Sequence, residues 1–328
     1  MGNFLSSPIT EKETHVGMGN GLAFAVSCMQ GWRATMEDAH IARTTIPAFP
    51  NCSIFAVFDG HGGKLIADHS AMSLADVLEK QNINGKEADP ADIGKALDRT
   101  FLQLDADHRQ LKQIASGEDH SGCTAIAAFV THTHIIVANS GDSRSVLATD
   151  GSVVPMSYDH KPNNETERRR IENAGGSVRN NRVNGDLAVS RALGDFVYKQ
   201  RSDLKAEEQQ VSAEPDIKIE VRNKENEFLI LACDGIWDVM TNEEACDFVR
   251  SLMLKGENNM GLICEEMLDH CLQLGSRDNM SVIVVKFSGA KIGSGDGVMG
   301  LRKAREEAAA EAKKQEQSEH NYSAATSQ

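Results

Sequence analysis

Three aspartates, Asp59, Asp234 and Asp278, each sit where an apolar run meets a polar turn. Ser53–Phe58 runs into Asp59-Gly60-His61-Gly62-Gly63, and Phe228–Cys233 runs into Asp234-Gly235. Asp278-Asn279 precedes the run from Met280 to Phe287. These runs read as buried β-strands. A carboxylate flush against a buried strand is costly unless a cation neutralises it. Two of the three leave the C-terminal end of a strand and one enters an N-terminal end. If the third strand runs antiparallel to the others, all three carboxylates meet at one edge of the sheet. Oxygen donors without a matching set of His or Cys suit Mg²⁺ or Mn²⁺ and not Zn²⁺. Metal-assisted hydrolysis is the chemistry such a cluster implies.

The neighbours of these aspartates add to the donor set. Glycines on both sides of His61 let the backbone turn sharply and expose its carbonyls and imidazole. Asp59 could bridge two metals, with the Gly60 carbonyl as a further ligand. Upstream, Arg33-Ala34-Thr35-Met36-Glu37-Asp38 brings one guanidinium close to two carboxylates. Glu37 or Asp38 could serve the second metal, and the fork of Arg33 suits a phosphate dianion. Singly, each feature has a plainer explanation. An Asp-Gly pair is usually a turn, and Arg33 beside Glu37 and Asp38 could be a surface ion pair of little energetic value. Several acidic strand boundaries together with Arg33 are not explained that way.

The elements that must position these groups are short strands and paired helices. Strands are expected at Ala23–Cys28, Ser53–Phe58, Thr124–Thr131, His134–Asn139, Arg144–Ala148, Phe228–Cys233 and Ser281–Phe287. Helical stripes run through Ala67, Ala71, Leu74 and Leu78, and through Ile93, Leu97, Phe101 and Leu104. A second pair follows Asp234: a capping-box start at Thr241 with Glu244, then a stripe from Met260 to Cys271. Paired helices on antiparallel strands predict a four-layer α/β sandwich, two antiparallel sheets flanked by helix pairs. Residues 1–20, rich in Gly, Ser, Thr and Glu, read as a flexible arm, and residues 21–288 as one domain without a linker-like break. Residues 163–211 interrupt the strand pattern with a short helix from about Asn164 and a polar loop, and read as a flap. After residue 289 a Gly-rich linker leads to a helix-forming stretch with only Ala to bury, expected to be solvated. The last residues, from Ser318, read as disordered.

The chain has 328 residues and a formal net charge of −14. That charge lacks the basic footprint of a nucleic-acid-binding surface, which also argues against a metal-dependent nuclease. Seven cysteines without a Cys-x-x-Cys pair, most in apolar contexts, point to a reducing, cytoplasmic compartment and no disulfide framework. Met1-Gly2-Asn3-Phe4-Leu5-Ser6 fits the N-myristoylation pattern at Gly2. With no polybasic stretch behind it, one acyl chain would give weak, reversible membrane association. A monomer is expected, because no long heptad or exposed apolar stripe stands out.

Longer motifs then make a specific resemblance. GWRATMEDAH (Gly31–His40), VFDGHGG (Val57–Gly63), SGCTA (Ser121–Ala125) and ANSGDSR (Ala138–Arg144) are followed by DHKP (Asp159–Pro162) and RVNGDLAVSRALGD (Arg182–Asp195). ACDGIWDVM (Ala232–Met240) and SRDNMSVIVV (Ser276–Val285) complete the order. In this the chain resembles the metal-dependent type 2C protein serine/threonine phosphatases, from about Leu22 to Phe287. The family fold agrees with the sandwich read from the elements. The resemblance implies that Asp59 bridges two Mg²⁺ or Mn²⁺ ions and that Asp234 and Asp278 hold the first. It implies Glu37 and the Gly60 carbonyl for the second, with Asp38 holding a bound water. Asp142 and Asp238 match positions that hold a weaker third ion together with Asp234. Arg33 matches the phosphate-binding arginine, His61 the general acid, and residues 163–211 the flap that shapes substrate preference. The implied substrates are phosphoserine and phosphothreonine proteins, hydrolysed without a phosphoenzyme. The alternative is an inactive phosphatase-fold scaffold, but every expected acidic position is filled.

Overall fold

The structure is a computed structural model that describes residues 4–81 and 89–326. Gly2 lies outside the described residues. In chain order the strands of the two large sheets are β1 (Phe4–Gly19), β2 (Leu22–Arg33), β3 (Ala39–Arg43), β4 (Ser53–Phe58), β5 (Ala125–Val130), β6 (His134–Ser140), β7 (Arg144–Thr149), β8 (Ser152–Pro155), β9 (Asp216–Val221), β10 (Asn226–Ala232) and β11 (Met280–Lys286). One sheet has the order β1-β2-β11-β10-β7-β8 and the other β9-β6-β5-β4-β3. The strand pairs within both sheets are antiparallel. Helices α1 (Leu65–Glu79) and α2 (Pro90–His108) pack on the second sheet, and α4 (Asn242–Leu254) and α5 (Met260–Gln273) on the first. A shorter α3 (Glu165–Asn173) belongs to the flap, and α6 (Gly297–Thr326) closes the chain. This is the four-layer sandwich expected from the sequence.

The central strands read as continuous apolar runs because both of their faces are buried. In β10, Leu229 and Leu231 point into the interior between the sheets. Phe228, Ile230 and Ala232 on the same strand meet the α4 and α5 helices. In β4, Phe55 and Val57 face the interior while Ile54, Ala56 and Phe58 meet α1 and α2. Each of the Val, Leu, Ile and Phe side chains contributes roughly 1.5–3 kcal/mol on full burial. Helix starts are fixed by local chemistry. Asp89 accepts the Ala91 N–H at 2.8 Å ahead of Pro90, and Thr241 with Glu244 forms the expected capping box.

Four expectations about the periphery are corrected. Residues 4–19 are not a flexible arm but the edge strand β1, paired with β2 from Gly19↔Leu22 to Phe4↔Arg33. The turn between them is Asn20-Gly21, with φ of 51° and 71°, the two left-handed residues that a tight hairpin needs. An edge strand is held by backbone hydrogen bonds, so it needs little apolar surface and its polar composition hid it. The Gly-rich linker is docked on the end of α4. Gly293 N–H donates to the Met253 carbonyl and Gly297 N–H to the Lys255 carbonyl, both at 3.0 Å. Finally, α6 is anchored at its start, where Val298 is buried and Arg302 and Arg305 both bond the buried Glu266. The anchor is guanidinium–carboxylate bonding, which an apolar stripe does not reveal. The helix also continues through 318–326, replacing the expected disorder there.

Residues 163–211 form the predicted excursion. Helix α3 follows Asn164 and carries Arg168, Arg169 and Arg170, and the chain turns at Gly175 with φ 82°. Ile171, Val183, Val189, Ala192 and Val211 give the segment its own small core. Buried Glu167 ties it together, bonding Arg170, Arg191 and the Ser190 hydroxyl.

Candidate active site

The predicted carboxylates converge, but at the end of the sandwich between the two sheets and not along one sheet edge. Asp59 leaves β4 of the second sheet, whereas Asp234 follows β10 and Asp278 precedes β11 in the first. The antiparallel pairing of β10 with β11 brings the end of one beside the start of the other, as expected. A cavity of about 580 Å³ opens here, lined by Arg33, Glu37, Asp59, Gly60, His61, Asp142, Asp234 and Asp278. Asp38 is not part of that lining and instead lines a second cavity of about 760 Å³, with Cys28, Met36 and His40. Asp238 sits on the single helical turn after Asp234, exposed and outside the lining.

The backbone at Gly60 admits no side chain: a Cβ there would stand 2.2 Å from the Glu37 carbonyl oxygen. That close approach joins the Glu37 loop to the Asp59 strand end. Asn279 makes a second joint. Its Nδ2 donates to the carbonyls of Gln30 and Thr35, and its Oδ1 accepts the Glu37 N–H, all at 2.9 Å. The loop bearing Arg33, Glu37 and Asp38 is therefore clamped to the residue beside Asp278. Arg33 itself donates to Asp278.

The electrostatics call for positive charge. Burial pushes the Asp59 carboxyl well above the ordinary carboxylate range, and the charges of Asp234, Asp38, Asp142 and Asp278 push it further. Asp234 is raised the same way, by burial first and then by Asp142, Asp278 and Asp238. Asp38 is pushed up to about 7 by burial, against the Ser281 and Cys233 contacts that favour its charged form. Its Oδ2 accepts from the Ser281 hydroxyl at 2.6 Å, while its buried Oδ1 has no hydrogen-bond partner. Clustered, mutually repelling carboxylates with an orphaned oxygen fit hard divalent cations. Ligand atoms of Asp38, Asp59 and Cys233 lie within 4.8 Å of one another. Cys233 is a poor candidate, because burial holds its thiol protonated and it bonds the Asn279 carbonyl and the Ser281 N–H.

Three residues at the site had no role assigned from the sequence. Lys161 bonds Asp142 and supplies a local counter-charge where Asp142 and Asp238 were expected to take a weaker ion. Asn279 is the clamp just described. Asp195 bonds His61, with His61 Nε2 2.6 Å from Asp195 Oδ2. Burial works to lower the pKa of His61, but the charge and hydrogen bond of Asp195 outweigh it and the ring ends above its ordinary value. Each acts through a partner distant in sequence, which motif spacing does not reveal, although all three fall inside the motifs quoted above.

A carboxylate cluster beside a guanidinium, at the end of a double antiparallel sandwich, has the donors that a metal-dependent phosphoryl hydrolase needs. Residues 22–280 match the model of the protein phosphatase 2C family, and the chain belongs to that family. Protein phosphatase 1B of Mus musculus is 47% identical over 302 residues, covering 88% of this chain and 76% of the relative. Protein phosphatase 1A of Homo sapiens is 45% identical over 295 residues, covering 88% and 77%. Among solved structures, a phosphatase from Toxoplasma gondii superposes with a TM-score of 0.73 at 28% identity, covering 86% of this chain and 97% of that one. A C. elegans sex determining protein shares the fold, with a TM-score of 0.72 at 24% identity over 82% of this chain and 66% of its own. The family is one of metal-dependent protein serine/threonine phosphatases, and this chain is an enzyme of that class.

Proposed function

We propose that the enzyme hydrolyses phosphoserine and phosphothreonine in proteins by direct attack of water at a site for two Mg²⁺ or Mn²⁺ ions, without a phosphoenzyme. The observation that carries this reading is the convergence of Asp59, Asp234, Asp278, Glu37 and the Gly60 carbonyl in one cavity with Arg33 and His61. Asp59 would bridge the ions, Asp234 and Asp278 would hold one, and Glu37 with Gly60 the other. Asp142 and Asp238 would support a weaker third ion with Asp234, in competition with Lys161. Divalent ions bound there neutralise the carboxylates, acidify a water and draw charge from the phosphoryl oxygens.

The side chains do the rest. Arg33, kept in place by Asp278, presents its remaining N–H groups to the phosphoryl oxygens and stabilises their charge in the transition state. Asp38 orients the attacking water through its free Oδ1. His61 gives a proton to the departing serine or threonine oxygen. The cysteines, all buried but the half-buried Cys52, take no covalent part.

Phosphate release from a phosphothreonine peptide tests the reading. Release is expected with Mn²⁺ or Mg²⁺, to be abolished by EDTA, and to fall at least 100-fold in Asp59→Ala. Full activity in that variant would sink the proposal. We also propose a monomeric cytoplasmic enzyme whose Gly2, when acylated, gives weak reversible membrane association. Intact mass of the protein from its own cells checks this, an unmodified glycine ruling the anchor out.

A further inference from the structure

Asp195 closes the longest sequence motif of the chain, and none of the roles above uses it. Its carboxylate is 6% exposed and lies 2.6 Å from His61 Nε2. We propose that Asp195 is a positioning residue for proton delivery, holding the His61 ring by its Nε2–H so that Nδ1 is the nitrogen offered to the departing oxygen. This rests on the reading of His61 as the general acid.

The backbone around the pair is built for it. Asp195 has φ 52°, a left-handed conformation uncommon outside glycine, directly after Gly194 at φ 77°. A strained residue persists only where its surroundings over-determine it. Here the Gly194 N–H donates to buried Asp105 at 2.7 Å, and Asp105 is fixed by Lys199, which also bonds the Ala192 carbonyl. The Asp195 N–H donates to the Ser121 carbonyl. A small three-stranded sheet then aligns the partners, with Gly122–Cys123 between Gly60–His61 and Leu193–Gly194. Gly122 lies directly under the pair: a Cβ there would stand 2.2 Å from Asp195 Oδ2 and 2.7 Å from His61 Nε2. So the flap motif, through Asp195, sets the ring that the Asp59 turn carries.

The step balances as follows. A water oxygen bonds to phosphorus and sheds one proton to solvent. The bond from phosphorus to the serine or threonine oxygen breaks, and its electron pair stays on that oxygen. His61 Nδ1 gives its proton to the oxygen, keeping Nε2–H on Asp195, and regains a proton from solvent. An alkoxide needs that proton, whereas a nitrophenolate is stable enough to leave without it. The role therefore shows in how the loss depends on the leaving group, which a general loosening of the fold would not produce.

The test compares Asp195→Asn with the wild type, in Mn²⁺, on a phosphothreonine peptide and on 4-nitrophenyl phosphate. Asn tolerates left-handed φ, so the strained turn is kept. The expected result is a fall in kcat of about 30- to 100-fold on the peptide, with KM within about twofold and kcat on the aryl ester within about threefold. Gly122→Ala, which displaces the pair without removing either member, should give the same selective loss. In a His61→Ala background, Asp195→Asn should cost nothing further. Equal losses on both substrates, or none, in both variants overturn the role of Asp195. A wild-type enzyme inert towards the peptide instead defeats the reading of the whole site.

Discussion

Asn279 commits three hydrogen bonds to the end of β2 and the loop after it, at Gln30, Thr35 and Glu37. A neutral amide can do this where a charge could not, since it sits beside Asp278 without adding to the local repulsion. Net hydrogen bonds contribute about 1 kcal/mol each, and leaving buried partners unmet costs more. Asn279→Ala is therefore expected to destabilise the fold by about 2–4 kcal/mol in urea unfolding. It should also raise the Mn²⁺ concentration for half-maximal phosphate release, because Glu37 loses its tether. Unchanged metal dependence would show that the loop needs no clamp. At this scale the convergent carboxylates were legible, because an acid against an apolar run is a local anomaly. Asn279 was not, since its bond to Gln30 spans 249 positions. Neither was Lys161, whose neighbours in sequence give no sign of Asp142.

The flap shows what one buried acid can hold. Glu167 is 2% exposed and bonds two arginines and a serine across α3 and the loop after it. Burial works to raise its pKa, but the Arg191 hydrogen bond and the Arg170 and Arg191 charges overcome it and hold the carboxyl down at about 2. A depressed folded value means stability that is present above the unfolded value, about 4.3, and is lost as pH falls through about 2. Glu167→Gln should thus cost about 2–3 kcal/mol at neutral pH, with the gap to wild type closing between pH 4.5 and 2 in urea titrations. A gap that stays constant with pH would refute it. Among elements, legibility followed burial. Strands apolar on both faces and helices with a clear stripe were found in the sequence. The polar edge strand β1 was missed, although Asn20-Gly21 was a readable hairpin signal. The start of α6 was missed because Arg302 and Arg305 reach Glu266, on a helix far away in sequence.

On the scale of the molecule, the antiparallel sandwich followed from paired helices and short strands, but the assignment of strands to sheets did not. Periodicity says which face is apolar, not which of two sheets a strand joins. That is why one sheet edge was expected for carboxylates that two sheets share. The division has a practical side. Val57, two positions before Asp59, and Leu231, three before Asp234, are both fully buried in the interior between the sheets. Interiors are close-packed, so a change in their volume moves their walls. The thickness of that apolar filling therefore sets the distance between Asp59 and Asp234. Any attempt to harden this enzyme by refilling its interior retunes the catalyst as well, and metal affinity, more than melting temperature, is the quantity such engineering would have to watch.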